Sequence, residues 1–249
     1  MATGNTHPRL NFRADDLFFS AMAAVALGVV LVGFAPTYFL AGLFRAPLPN
    51  LLVHIHAAVF TSWIALLITQ ISLVTGGRVD LHRRLGRLGV ALAALMIILG
   101  VLTASDRLAR QSTHPGAFSI EEVYDLYAAS MGGMLMFCTF VYFGYRNRIR
   151  TPVHKRLMLF ATISLLDAGF DRWPVFDPYP LWLVNVICFT PLVLLMMAYD
   201  WWSGARVQRV TLWSTLFLFT VQQGRHLLSH TAAWQTFAVW VQRHMPSLS

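Results

Sequence analysis

LLVHIHAAVFTSWIALLITQISLV, residues Leu51 to Val74, decides the fold: 24 residues in a row without a single Asp, Glu, Lys or Arg. About 20 apolar residues in a helix are what it takes to cross the hydrocarbon core of a bilayer. A helix also satisfies every backbone N–H and C=O within the segment, which lipid cannot do. Six further stretches read the same way: Leu17 to Phe44, Leu88 to Leu108, Val123 to Tyr145, Arg156 to Phe170, Leu181 to Trp202 and Val210 to Ser229. The expected architecture is an all-α, polytopic membrane bundle of seven spans. Residues 1–16 form a cytoplasmic N-terminal arm, 17–230 the seven-helix transmembrane domain, and 231–249 an amphipathic tail on the outer face.

Composition agrees, with 57% hydrophobic and 12% charged residues and a mean hydropathy of +0.58. The formal charge of +8 is carried by short loops between spans, where arginines act as orientation signals beside anionic headgroups rather than as a nucleic-acid surface. Thirteen Lys and Arg fall on the N-terminal side: Arg9, Arg13, Arg78, Arg83, Arg84, Arg87, Arg146, Arg148, Arg150, Lys155, Arg156, Arg206 and Arg209. Six fall on the other: Arg45, Arg107, Arg110, Arg172, Arg225 and Arg243. This asymmetry predicts an N-terminus in the cytoplasm. The first span is too long for the apolar core of a signal peptide and is expected to stay as an anchor. Cys138 and Cys188 both lie inside spans, so no disulfide framework is expected. A glycine-rich phosphate loop is missing, which disfavours a nucleotide enzyme.

Boundaries are marked locally. Pro36 signals a kink in the first span, Gly76-Gly77 ends the second, and Glu121-Glu122 suits a helix N-terminus after the His114-Pro115-Gly116 loop. The chain also carries a weak repeat. Leu81-His82-Arg83-Arg84-Leu85 opens span three, and Val153-His154-Lys155-Arg156-Leu157 opens span five, 72 residues later. Spans two and three and spans four and five thus read as a duplicated helical hairpin. In the second copy Asp167 and Asp171 replace Leu95 and Leu99.

With His54 and His56, the strings Gly77 to Gly86 and His154-Lys155-Arg156-Leu157-Met158 resemble bacterial inner-membrane proteins of unknown function with a His-Arg-x-Leu-Gly/Met hairpin. More distantly they are similar to a small membrane protein of cytochrome oxidase maturation. The resemblance covers about Leu51 to Trp173 and implies a bacterial inner (plasma) membrane, with haem or respiratory biology and a respiratory-complex or other membrane partner. It carries over no catalytic residue.

Function must be sought among the few polar side chains held at depth. Gln222, His226, Ser229 and His230 share a stripe on span seven with Arg225 beside them, and two histidines four apart can ligate one metal. His54 and His56 sit about 200° apart around span two, so at most one joins a compact site. Asp167 is the costliest residue, several kcal/mol if left unpaired in lipid, and it requires a partner such as Arg225 or a histidine. Asp171 lies one turn further on, beside Arg172. Asp125 in span four and the interfacial pair His82 and His154 complete the candidates; for the last two, headgroup contact and a ligand or relay role both stand.

Two cofactors fit. A b-type haem would take His56 and His226 axially, with His230 and Asp167 orienting them; a divalent metal would take His226 and His230 with His56 or Asp167. The rivals need no cofactor: a proton-coupled carrier or receptor built on Asp167, Arg225 and His226, or a scaffold subunit whose polar residues only join helices.

Overall fold

The computed structural model describes residues 12–45, 49–113 and 119–245. Most of the expected N-terminal arm, Pro47, the His114-Pro115-Gly116 loop and the last four residues of the tail lie outside the described residues. What is described is all-helical, with no strand. Five helices are long and apolar enough to cross a membrane, which makes this a multi-pass membrane protein. They are α1 (Phe12–Phe34, continued by a π-helical turn over Ala35–Phe39), α3 (Leu51–Thr75), α4 (Val79–Thr113), α5 (Ile120–Arg146) and α8 (Leu181–Gly204). Between α1 and α3 lies the short α2 (Ala41–Phe44).

Local signals account for most boundaries. Pro36 takes its place in the π turn, a common local solution where a proline interrupts a helix. The Asn50 side chain caps α3 by accepting from Val53 N at 3.0 Å. Gly77 ends it with φ +72, a left-handed conformation that suits glycine. At α5 the expected acidic start is a capping box: Ser119 Oγ accepts from Glu122 N at 3.3 Å while Ser119 N donates to Glu122 Oε2 at 2.7 Å.

Two expected boundaries move. Helix α1 begins at Phe12, so residues 12–16 are helical rather than part of an arm. There Asp15 accepts from Tyr199 Oη and pairs with Lys155 Nζ at 2.5 Å, tying α1 to its neighbours. The basic stretch before span three is helical from Val79, because no breaker separates it from the apolar run.

The two remaining expected spans differ from the five. The first divides into α6 (Thr151–Ile163) and α7 (Asp167–Phe170). At the break the backbone tightens into i→i−3 bonds, Leu165 N to Thr162 O and Leu166 N to Ile163 O, and Ser164 Oγ donates to Ala161 O. Such irregular backbone is tolerated at membrane depth when protein covers it, and Ile163, Ser164, Leu166 and Asp167 are all buried. Helix α7 sits so close to α1 that a Cβ on Gly33 would meet Gly169 O at 2.2 Å.

The second is α9 (Arg209–Ser229), whose pattern is inverted. Its buried face is Thr211, Ser214, Leu218, Gln222, Arg225 and Ser229 at three- and four-residue spacing, while Leu212, Trp213, Leu216 and Leu227 face outward. Polar-in and apolar-out is the pattern a helix needs when lipid, not water, surrounds the bundle.

Helix α5 is central, packing on α4, α6 and α9, while α3 packs chiefly on α4 and α1. The main core runs through Trp63, Met96, Phe137, Phe160, Phe189 and Met196. Trp63 Nε1 donates to Thr162 Oγ1 at 3.1 Å and its ring meets Phe137 edge-on at 4.9 Å. The tail forms α10 (Ala232–His244), one face of which packs with Leu108, Val123, Tyr124 and Tyr127 in a second small core. Trp234 Nε1 donates to Tyr124 O at 3.2 Å, and Gln242 Nε2 to Leu108 O at 3.1 Å. Phe237 and Trp240 stay exposed on the opposite side. The tail is therefore docked on the bundle, with aromatics left over for lipid.

Candidate metal centre and buried ion pair

The capping box starts α5 beside the end of α9, since the two helices pack against each other. This puts Asp125, six residues into α5, against His226 and Ser229. His226 Nδ1 lies 3.2 Å from Asp125 Oδ1, and Ser229 Oγ donates to the same oxygen at 2.8 Å. His230, at the C-cap of α9, sits one turn beyond His226 with their rings 4.8 Å apart. Its Nδ1 is 2.9 Å from His226 O. A carbonyl and a carboxylate can only accept here, so the proton is on Nδ1 of both neutral imidazoles and Nε2 is left as a lone pair. Asp125, His226 and His230 each offer a ligand atom, all within 4.8 Å of one another.

Deeper in the bundle Arg225 and Asp167 form a buried ion pair, Nη1 to Oδ2 2.8 Å. Arg225 Nη1 also donates to Ala129 O at 2.7 Å, and Asp167 Oδ1 accepts from Ala168 N at 2.7 Å. Gly132 makes this possible: a Cβ there would come within 2.7 Å of Arg225 Cδ, so a side chain on α5 would block the arginine. The pair is incompletely satisfied. Among the described residues Arg225 Nη2 is buried without a hydrogen-bond partner, as are both amide atoms of Gln222, one turn earlier on α9, and Asp171 Oδ1. Asp171 lies within electrostatic reach of Asp167, Arg225, Arg172 and Arg107.

The other candidates fall elsewhere. His54 is exposed and sits 3.0 Å from Tyr38 Oη. His56 stacks on Phe60 at 4.0 Å and feels the charge of Arg172, while His226 belongs to the α5–α9 contact. His82 and His154 lie next to each other, ring centroids 6.4 Å apart and planes at 83°. The structure thus brings His226 and His230 together and supplies Asp125 as the third donor, where the sequence suggested His56 or Asp167. Matching depth could have found Asp125: it stands near the start of a helix whose neighbour ends at His230. A second buried pair, Arg156 with Asp200, was missed because Arg156 reads as one more orientation charge and Asp200 as an acid next to a Trp-Trp boundary.

Chemically, two imidazoles and a carboxylate suit a divalent first-row ion with positions left for water or another ligand. The His226 carbonyl beside His230 Nδ1 is a partner of the kind that orients a metal-binding histidine, whereas Asp125 would exchange its hydrogen bond with His226 for the ion. Ser229 is no activated nucleophile, for its hydroxyl meets Asp125 and the Nδ1 side of His230 rather than a free imidazole lone pair. Fold and geometry together define a multi-pass, all-helical membrane protein with a His/Asp cluster at one end of the bundle. Compared with known proteins, the chain matches no protein-family model, no curated protein and no solved structure.

Proposed function

We propose that this chain is a seven-span bacterial inner-membrane protein, N-terminus inside, that binds a divalent transition-metal ion through Asp125, His226 and His230. The observation that carries this reading is the three donor atoms within 4.8 Å of one another, with His230 oriented by its Nδ1 proton on the His226 carbonyl. Support for seven spans comes from the broken helix α6–α7 and the outward apolar face of α9; the orientation rests on the thirteen-to-six division of Lys and Arg, which becomes twelve to five when the buried Arg156 and Arg225 are left out. The link to membrane redox chemistry or respiratory-complex maturation rests on the resemblance of the His82 and His154 hairpins, as does the duplication on their matching frame. A haem between His56 and His226 has weaker support, since α3 packs on α4 and α1 whereas α9 packs on α5, α6, α8 and α10.

Full-length protein in detergent, purified without a histidine tag and titrated with Co²⁺ and Zn²⁺, tests the reading. One ion should bind, with the visible bands of a nitrogen- and oxygen-ligated Co²⁺. Asp125→Ala, His226→Ala and His230→Ala should each weaken binding at least tenfold. Undiminished binding in His226→Ala overturns the site. A carrier reading is then the stronger one, because a discontinuous helix bearing Asp167 beside Arg225 is an arrangement transporters use for ions and polar substrates.

A further inference from the structure

His82 and His154 make a second site, independent of the first, at the opposite end of α5. His154 Nδ1 donates to Gly144 O at 2.8 Å, and Gly144 lies 19 residues beyond Asp125, about 28 Å along the helix. Because a carbonyl accepts, the Nε2 of neutral His154 is a lone pair. His82 lies against the backbone carbonyl of Gln70, and its Nδ1 is buried without a hydrogen-bond partner, as is Gln70 Oε1. Each imidazole thus has a carbonyl beside it and nitrogen capacity unspent.

The rings are 6.4 Å apart, centroid to centroid, with planes at 83°. A metal bonded to two imidazoles from opposite sides, with metal–nitrogen distances of about 2 Å and about 1.2 Å from nitrogen to ring centre, puts the centroids about 6.3 Å apart. A tetrahedral angle at the same bond lengths would bring them to about 5 Å. The observed spacing leaves room for one ion bonded to both rings.

Charge narrows the ion. The electrostatic neighbours of His82 are His154 and Arg83, and Lys155 follows His154 in the chain. Asp80, two residues before His82, is turned about 200° away around α4. Neutral donors among cations disfavour a divalent ion, which gains a carboxylate at the other site. Met158 adds softness: it lies one turn after His154 on α6, and its sulfur is close enough to Gly144 that a Cβ there would meet Sδ at 2.8 Å. Imidazole suits copper and a soft thioether favours its monovalent state, so this donor set fits Cu(I).

We propose that His82 and His154 hold a monovalent copper ion between them, with the Met158 thioether as its third donor. The test is anaerobic competition for Cu(I) between the full-length protein in detergent and a chromophoric Cu(I) chelator, with ascorbate present. Wild type should withdraw one Cu(I), and X-ray absorption should show two nitrogen scatterers and one sulfur, the sulfur lost in Met158→Leu. His82→Gln and His154→Gln, which keep a polar group of similar reach, should each weaken Cu(I) binding at least tenfold, while His226→Ala should not. Monodisperse elution of each variant separates lost ligation from lost folding. Failure of wild type to compete, unchanged Cu(I) affinity in both histidine variants, or a sulfur shell that survives Met158→Leu would overturn the proposal. Uptake of haem in place of copper, with a bis-imidazole spectrum lost in His82→Gln, would overturn it as well.

Discussion

Two buried arginine–aspartate pairs hold this bundle together, and they are built to different standards. In the first, Arg156 of α6 grips Asp200 of α8 through Nε at 2.8 Å and through Nη2, and its Nη1 donates to Pro152 O at 2.7 Å. The second oxygen of Asp200 accepts from Thr211 Oγ1 at 2.5 Å and from Gln208 N at 3.0 Å. Every lone pair that matters has a donor, and one carboxylate joins α6, α8 and the start of α9. In the second, Arg225 reaches Asp167 and Ala129 O but leaves Nη2 bare, with Gln222, Asn185 and Asp171 unsatisfied among the buried groups of the bundle. A buried charge is tolerated when it is paired and fully hydrogen-bonded. The first pair meets that condition and reads as a clamp. The second falls short of it, beside a break in a helix, and should hold the bundle less firmly.

Replacing one partner of each pair sharpens the difference. Asp200→Leu strands Arg156 and also frees Thr211 and Gln208 N, so it should have the largest effect, toward the upper end of about 3–5 kcal/mol. Thermal unfolding in detergent should show it as the greatest drop in midpoint, and Asp200→Leu with Arg156→Met should recover much of the loss. Asp167→Leu should cost less, toward the lower end of about 3–5 kcal/mol, because Arg225 keeps the Ala129 carbonyl. Adding Arg225→Met to Asp167→Leu should again raise the midpoint. A wild-type midpoint in Asp167→Leu would mean that the acid reaches water, and the contrast between the pairs would collapse.

The smallest effect should have the opposite sign. Gln222 is 1% exposed and neither amide atom has a partner among the described residues, so Gln222→Leu removes a desolvation penalty and should stabilise the fold by about 1 kcal/mol, raising the midpoint. Thr211→Val, whose hydroxyl serves Asp200, should lower it. A fall in Gln222→Leu would show that this glutamine is satisfied in the working protein by water or a bound molecule.

Much of the scaffold was legible along the chain. The apolar runs at Leu51 and Leu181, the Pro36 interruption, the Gly76-Gly77 stop and the acidic start at Glu121-Glu122 all stand where the helices begin, bend or end, and α5 begins at Ile120, three residues before the expected Val123. So was the facing pair His226 and His230, because four residues return a helix to the same side. The break at Ser164 to Leu166 was not, since nothing in Ser-Leu-Leu forbids a helix; Asp167 could be seen as costly, but not as the first residue after a gap in the backbone.

What the sequence determined by itself is therefore a set of apolar helices and their local punctuation. Hydropathy, helix length and capping are properties of neighbours along the chain, and the bilayer imposes them on each segment separately. Only the tertiary structure decided that Asp125 joins His226 and His230, that Arg156 is a clamp rather than a loop charge, and that Arg225 passes over Gly132 to meet Asp167. Those outcomes depend on the rotation and depth of each helix against its partners. In lipid that choice comes from close packing and from polar groups finding one another, and neither is written in any one segment.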